Sequence, residues 1–149
     1  MATNTKFSII TFAEQFLAFP YQEIIGITRT LTLEPATIKL PFILGNIVQN
    51  GKRWPVFSID AQFMLISHIQ HPYCICLSAD HATTGLALIC DTIDHVNLQS
   101  EPRPIPPCIQ HPYSPLRQWY WYNETILAIT NVQTLQNYII SQIQKHATT

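Results

Sequence analysis

Four side chains able to bind a metal or act as nucleophiles fall close together as His68-x-x-His71-x-x-Cys74-x-Cys76. Imidazole and thiolate are the ligand types zinc prefers, and four of them would close a tetrahedral structural site. A thiolate beside a histidine is also the starting point of nucleophilic catalysis. The spacing works against both readings. Cys74 and Cys76 lie in the apolar run Tyr73-Cys74-Ile75-Cys76-Leu77, which reads as a strand. Residues two apart on a strand share a face, and a buried cysteine behaves as a small hydrophobe. His71 precedes Pro72 and is therefore expected in an extended loop. Of the other cysteines, Cys90 ends an apolar run beside Asp91, and Cys108 sits among prolines. No nucleophile-elbow pattern accompanies either of them. Gly51-Lys52-Arg53 lacks the glycine-rich lead of a phosphate loop and is followed by a strand pattern, not a helix. The aromatic run Trp119-Tyr120-Trp121-Tyr122 has faces for stacking on bases or sugars, but in a strand half of it points inward, which favours packing. These residues define no enzyme and imply no cofactor. A zinc- or thiol-dependent enzyme using His68, His71, Cys74 and Cys76 is the alternative they leave open.

The elements that would position these groups are mostly short strands. Hydrophobic residues make up 47% of the 149 residues and charged residues only 11%, so a single domain, 1–149, has ample material for a core. The formal charge of -1 argues against a dedicated nucleic-acid binder, which needs a basic face to replace counterions. Glu14 interrupts the apolar start, and no apolar run reaches membrane-spanning length, so a cytoplasmic protein with reduced cysteines and no membrane insertion is expected. Alternating or short apolar runs predict strands at Phe7–Phe12, Gln15–Phe19, Glu23–Thr32, Phe42–Gln49, Arg53–Ile59, Tyr73–Ala79 and Thr84–Asp91, the last two turned at Asp80-His81-Ala82. Ile93–Leu98 continues the pattern after a bend. Six prolines between Pro102 and Pro115 predict a long connection over 100–116. A last hairpin turns at Asn123-Glu124, and Asn131 to Lys145 forms the one helix, of about three turns, capped by Asn131 or Thr130. The hexapeptides Ile69–Cys74 (IQHPYC) and Ile109–Ser114 (IQHPYS) match, but their flanks do not, which favours coincidence over duplication. The total is nine or ten strands and a terminal helix, a β-barrel protein.

One segment is more specific. Leu40 to Asp60, LPFILGNIVQNGKRWPVFSID, reads as strand, Asn50-Gly51 turn and strand, with Pro55 inside the second strand. It resembles the P-x-x-hydrophobic-x-G-hydrophobic-hydrophobic-N-L-R-G element of CheW-like adaptor domains, keeping Gly45, Gly51 and Pro55 at matching intervals. Upstream, FSIITFAEQFLAFPYQEIIGI is similar to the opening strands of that family, with Ile24 and Ile27 at its two apolar positions. GLALICDTIDHV is similar to the G-x-x-V-D-x-V-x-x-V element, with Asp91, Ile93 and Val96 in register, and ILAITNVQTL resembles the terminal strand and helix start. The similarity runs in order along nearly the whole chain.

The resemblance implies a mainly β fold of two SH3-like five-stranded β-barrel subdomains with a C-terminal α-helix. It implies a non-catalytic adaptor or scaffold that joins the regulatory domain of a CheA-type histidine kinase to the cytoplasmic tip of a chemoreceptor, in a flagellar or type IV pilus system. Ile24, Gly26, Gly45, Asn50, Gly51, Ile93 and Val96 then match partner-binding positions. Several family charges are missing: Asn50 replaces an arginine, Gly26 a glutamate, Ser58 an aspartate, and Asn131 or Thr130 the last aspartate. A CheW-like protein that has left the array and binds another pilus regulator is the further alternative.

Overall fold

The computed structural model describes residues 5–30, 33–49, 51–79, 85–106, 108 and 114–147. In chain order its strands are β1 (Thr5–Phe12), β2 (Gln15–Pro20), β3 (Ile24–Arg29), β4 (Asn46–Gln49), β5 (Lys52–Ile59), β6 (Leu65–Ile66), β7 (Tyr73–Leu77), β8 (Leu86–Cys90), β9 (Thr92–Leu98), β10 (Arg103–Pro104), β11 (Gln118–Tyr122) and β12 (Thr125–Ile129), followed by helix α1 (Val132–Ala147). The strands form two curled sheets, each a half-barrel. The first has the order β10-β11-β12-β2-β1-β9, and the second β3-β7-β8-β5-β4 with β6 paired to β5. Each therefore holds five principal strands and one two-residue strand.

Alternation within the strands builds three apolar clusters. In β1, Phe7 and Ile9 face Ala18, Leu127 and Ile129 inside the first sheet. Ile10 and Phe12 face the other way, into a large cluster shared by both sheets and α1. The second sheet divides in the same manner. Cys74, Cys76, Ala87 and Ile89 fill its own interior with Trp54 and Val56, while Ile75, Leu77, Leu86 and Leu88 enter the shared cluster. Strands buried on both faces must be apolar throughout, which is why β7 and β8 read as unbroken hydrophobic runs.

The chain crosses between the sheets twice. It leaves β2 through a 3-10 turn at Tyr21–Glu23 and enters β3. It returns at Asp91, whose N–H donates to Thr11 O at 2.7 Å. Ile93–Leu98 therefore does not extend β8's ladder: β9 pairs antiparallel with β1 in the first sheet. The β1–β2 turn has Ala13 at φ 47° and Glu14 at φ 65°, and the β11–β12 turn has Asn123 at 46° and Glu124 at 61°. Both are two-residue hairpin turns with two left-handed positions, whose twist matches the flanking strands.

Several expected boundaries move. The arm at 42–49 becomes a strand only at Asn46, because Phe42 adopts φ 70° and residues 42–44 cross β5 as loop, with Leu44 N–H donating to Val56 O. The strand expected over Glu23–Thr32 spans Ile24–Arg29, its start taken by the 3-10 turn. The proline-rich connection still pairs at Arg103–Pro104 with Trp119 and Gln118. The two-residue β6, against Ser58 and Ile59, carries no sequence signal. The turn at residues 80–82 and most of the second IQHPYS hexapeptide lie outside the described residues. Pro55 sits where β5 changes partners, paired with Asn46 in β4, while the next residue, Val56, pairs with Ala87 in β8.

Helix α1 has 16 residues, more than the three turns expected. Val132, Leu135, Tyr138 and Ile139 are buried at helical spacing in the shared cluster. Asn131 caps it, its Oδ1 accepting from Thr134 N–H at 2.8 Å, a bond of the kind worth about 1 kcal/mol. The first helical N–H, of Val132, donates to the Glu23 carboxylate at 2.9 Å. Tyr138 Oη donates to Phe63 O at 2.5 Å and pins the middle of the helix to the second half-barrel.

Burial pushes the Glu23 carboxyl above its ordinary 4.5, partly opposed by the Val132 N–H. Its folded-state pKa is thus higher than its unfolded one. The stability this group contributes is full below the ordinary value and declines as pH rises through the folded pKa. Glu23→Gln should remove that slope. Denaturant melts at steps from pH 4 to pH 8 should show wild-type stability, measured relative to the variant, falling with pH and then levelling. A difference independent of pH would show that the carboxyl is not desolvated.

Candidate partner-binding surface

The β4–β5 hairpin is fastened at its tip by Trp54, whose buried indole Nε1–H donates to Gln49 O at 2.9 Å. Gly51 follows at φ 73°, with open space where a Cβ would stand. Its requirement for glycine is therefore conformational and not steric. Asn50 lies outside the described residues. Across the half-barrel, a Cβ on Gly26 would come 2.7 Å from Gln49 Nε2, so β3 and the end of β4 approach closely here. The Ile24/Gly26 step of β3 carries a register shift against β7, which turns the strand at this point. Gly26 and Gly51 thus belong to one rim.

Two residues of this rim escaped the sequence reading as partner contacts. Val48 and Ile27 are both 51% exposed on strands whose neighbours are buried or half-buried. Val48 stands across from Arg53, and Arg53 Nε meets Glu34 Oε2 at 3.4 Å in an exposed pair. Such a pair adds little stability. Composition marks Val48 and Ile27 as ordinary strand residues, and only the curl of the sheet shows that nothing among the described residues covers them.

The other expected positions separate. Ile24 is half-buried against the shared cluster. Gly45 is buried, and a Cβ there would lie 2.6 Å from Glu34 O. Glu34 and Asn46 exchange backbone hydrogen bonds at 2.8 and 2.9 Å directly over it. The structure gives this glycine a reason of its own, the close approach of two backbones. Ile93 and Val96 lie on β9 in the first sheet, paired with Ile10 and Phe7. Three apart on a strand, they face opposite sides: Ile93 packs on the shared cluster and Val96 on the first sheet's interior. No single patch contains all seven residues.

The histidine–cysteine set does not converge either. Cys74 and Cys76 point into the second half-barrel with Trp54 and Val56. His71 Nε2 accepts a hydrogen bond from Ala13 N–H at 3.3 Å, in the β1–β2 turn, and His68 is exposed. Among the described residues, no three His, Cys, Asp or Glu side chains gather as a metal site. Burial pushes the Cys74 thiol up to about 12, with Cys76 adding to the effect, and the Cys76 thiol to about 11. Cys90 is also raised to about 12, by burial first and then by Cys74 and Asp91. Thiols held that high are poor nucleophiles at neutral pH.

Two curled sheets around separate interiors, joined through a shared core and closed by one C-terminal helix, define a two-half-barrel β domain. No family model matches the chain, and no curated protein matches it in sequence. Among solved structures, the chain is similar to the scaffolding protein TtCheW from Thermoanaerobacter tengcongensis, at a TM-score of 0.66 and 16% identity over 85% of this chain and 88% of that one. The likeness is one of fold. No helix among the described residues is long and apolar enough to cross a membrane.

Two measurements check this geometry. In native protein at pH 8, maleimide should label exposed Cys108 within minutes and leave Cys74, Cys76 and Cys90 unmodified until denaturant is added. Fast labelling of any of the three would place it outside the core. Because the thiol pKa values are raised on folding, the stability they contribute is present below their ordinary 9.0 and is lost as pH rises through about 11–12. Separately, Gly45→Ala should cost about 1–3 kcal/mol in denaturant melts, the usual range for overpacking. A neutral substitution would show that the Glu34 backbone yields freely.

Proposed function

We propose that this protein is a non-catalytic adaptor that joins the regulatory domain of a CheA-type histidine kinase to the cytoplasmic tip of a chemoreceptor. The observation that carries this reading is the likeness of fold to a scaffolding protein along 85% of the chain. The sequence elements that resemble the adaptor family supply the partner classes. The set Ile24, Gly26, Gly45, Asn50, Gly51, Ile93 and Val96 enters the proposal in revised form. The contact face is the rim of Gly26 and Gly51, extended by the exposed Ile27 and Val48, and Asn50, outside the described residues, is kept from the resemblance alone. Gly45 and Ile24 act from beneath it by shaping the hairpin and β3. Ile93 and Val96 pack inward from opposite faces of β9 and stay outside this contact face.

The physics of the rim suits an adaptor. Exposed aliphatic side chains beside glycines allow a partner backbone to come close and bury apolar area. Relative to the family pattern, Gly26 removes a charge from this face, while exposed Lys52 and Arg53 keep two cations at the hairpin tip beside Val48. Whether the system served is flagellar or pilus-linked follows from which kinase and receptor bind.

Val48→Asp and Ile27→Asp should each weaken binding to a cognate kinase regulatory domain or receptor tip at least tenfold, about 1.4 kcal/mol. Their melting temperatures should stay close to wild type, since both side chains are about half exposed. Calorimetric titration against the CheA-type kinase and chemoreceptor of the same organism makes the measurement. Unchanged affinity in both folded variants would remove this rim from the interface, and failure of the wild-type protein to bind either partner would remove the adaptor reading.

A further inference from the structure

The interior of the first half-barrel is not filled along its whole length. At one end Leu98, Tyr120 and the Ser100 Oγ to Tyr120 Oη hydrogen bond of 3.2 Å close it. At the other end it opens into a cavity of about 550 Å3. Ile9, Val96 and Leu127 line its depth, and Thr11, Phe16 and Tyr122 are nearer the strand ends at the mouth. Phe16, 40% exposed, is a large aromatic that this cavity leaves half in water. Asp94 also lines the cavity and stands directly across from Ile9 in the β1–β9 register, so its carboxylate is on the interior side of β9.

Three further features meet at this mouth. β9 is seven residues long, contains neither proline nor a register shift, and among the described residues pairs only with β1. Its outer edge therefore offers backbone donors and acceptors for another strand. The topology also gathers acid at this end. The β1–β2 turn carries Glu14, the bend before β9 carries Asp91, β9 itself carries Asp94, and the β11–β12 turn carries Glu124. The lysine and arginine cations of this sheet, Lys6, Arg103 and Arg117, are at the opposite ends of their strands. Of the histidines, His95 also lines the cavity with its Nδ1 bonded to Ser8 Oγ at 2.8 Å, and His71 stands at the β1–β2 turn, where its Nε2 accepts from Ala13 N–H. Among the described residues, no basic side chain forms an ion pair with Asp94.

We infer that this mouth is a binding site for an extended basic segment of a partner protein, which pairs along the free edge of β9 and places a lysine or arginine side chain in the cavity. The aliphatic stem of such a residue fits the Ile9, Val96 and Leu127 lining, as long basic side chains bury their stems while keeping the charge near water. The cationic head meets the Asp94 carboxylate, and the faces of Phe16 and Tyr122 supply cation–π attraction. The surrounding carboxylates attract a basic segment and disfavour an acidic one. Main-chain pairing gives affinity and the cavity gives side-chain choice, the usual division in strand addition.

The inference rests on the cavity, its charge and the free edge, and not on the adaptor reading. Each can fail alone, because the kinase and receptor titrations probe Val48 and Ile27 and the following experiment does not. The probe is an acetylated, amidated heptapeptide of alternating valine and lysine, titrated into isotope-labelled full-length protein and followed by amide NMR shifts. The expected result is saturable shifts centred on residues 92–96 and 122–125, absent with the same peptide carrying glutamate for lysine. Asp94→Asn should weaken binding at least tenfold, and Phe16→Ala should weaken it less but measurably. Both residues are exposed, so melting temperatures should change little. Thr125→Trp, which fills the mouth without changing its charge, should abolish the shifts. Equal binding of the glutamate peptide, unchanged affinity in Asp94→Asn, or shifts centred elsewhere would overturn the proposal.

Discussion

Both half-barrels and the helix meet at Glu23, and the fold depends on that junction. Its carboxylate accepts the first N–H of α1, and its backbone carbonyl accepts Ser78 N–H at 2.9 Å as the chain leaves β7. The residue occupies the short crossing by which the chain passes from the first sheet to the second. One side chain and one carbonyl thus tie both half-barrels and the helix together. A carboxylate is well suited to a helix N-terminus, where unsatisfied N–H groups gather partial positive charge. The cost is partial desolvation, which is why its proton is held more tightly than in water. Thr130 N–H adds a bond to Ala18 O at 3.0 Å, fixing the approach to the helix from the first sheet.

From that junction the three apolar clusters follow. The shared cluster needs both sheets and the helix at fixed distances, and it contains most of the large buried side chains. The two private clusters need only their own sheet. This division explains why the rims differ. The second half-barrel brings Gly26 against Gln49 and locks its hairpin with an indole hydrogen bond. Among the described residues, the first leaves β9 unpaired on one side and its interior partly open. One rim is closed and sets exposed aliphatic side chains beside the Lys52 and Arg53 cations, and the other is acidic and open.

Much of the fold was legible in the chain. Period-two alternation and the Asn-Glu and Asn-Gly turns place most strands within a few residues of their positions, and the Asn131 cap places the start of the helix. What local pattern left out was pairing. Nothing in Thr92–Leu98 distinguishes a strand that continues β8 from one that joins β1 in the other sheet, because both need the same alternation. β6 and β10 are two residues each and exist only because β5 and β11 offer them an edge. Phe42 is hydrophobic like a strand residue yet sits at φ 70°, a conformation imposed by how residues 42–44 cross β5.

The candidate site shows the same boundary. Residue types alone fixed that Gly51 must turn, that Cys74 and Cys76 share a face inside a strand, and that the chain is a β domain closed by one helix. Burial and neighbourhood were decided elsewhere. Gly45 and Gly51 look alike in sequence, but one is buried under the Glu34 backbone and the other is open to solvent. Ile93 and Val96 look like a pair, but a strand sends them to opposite clusters. Glu14, Asp91, Asp94 and Glu124 are scattered over more than a hundred residues and become neighbours at one barrel mouth only through antiparallel and parallel pairing. Sequence determines local conformation because backbone sterics and side-chain period act over a few residues. Which groups face each other is set by long-range pairing, and that is decided only when the sheets close around their cores.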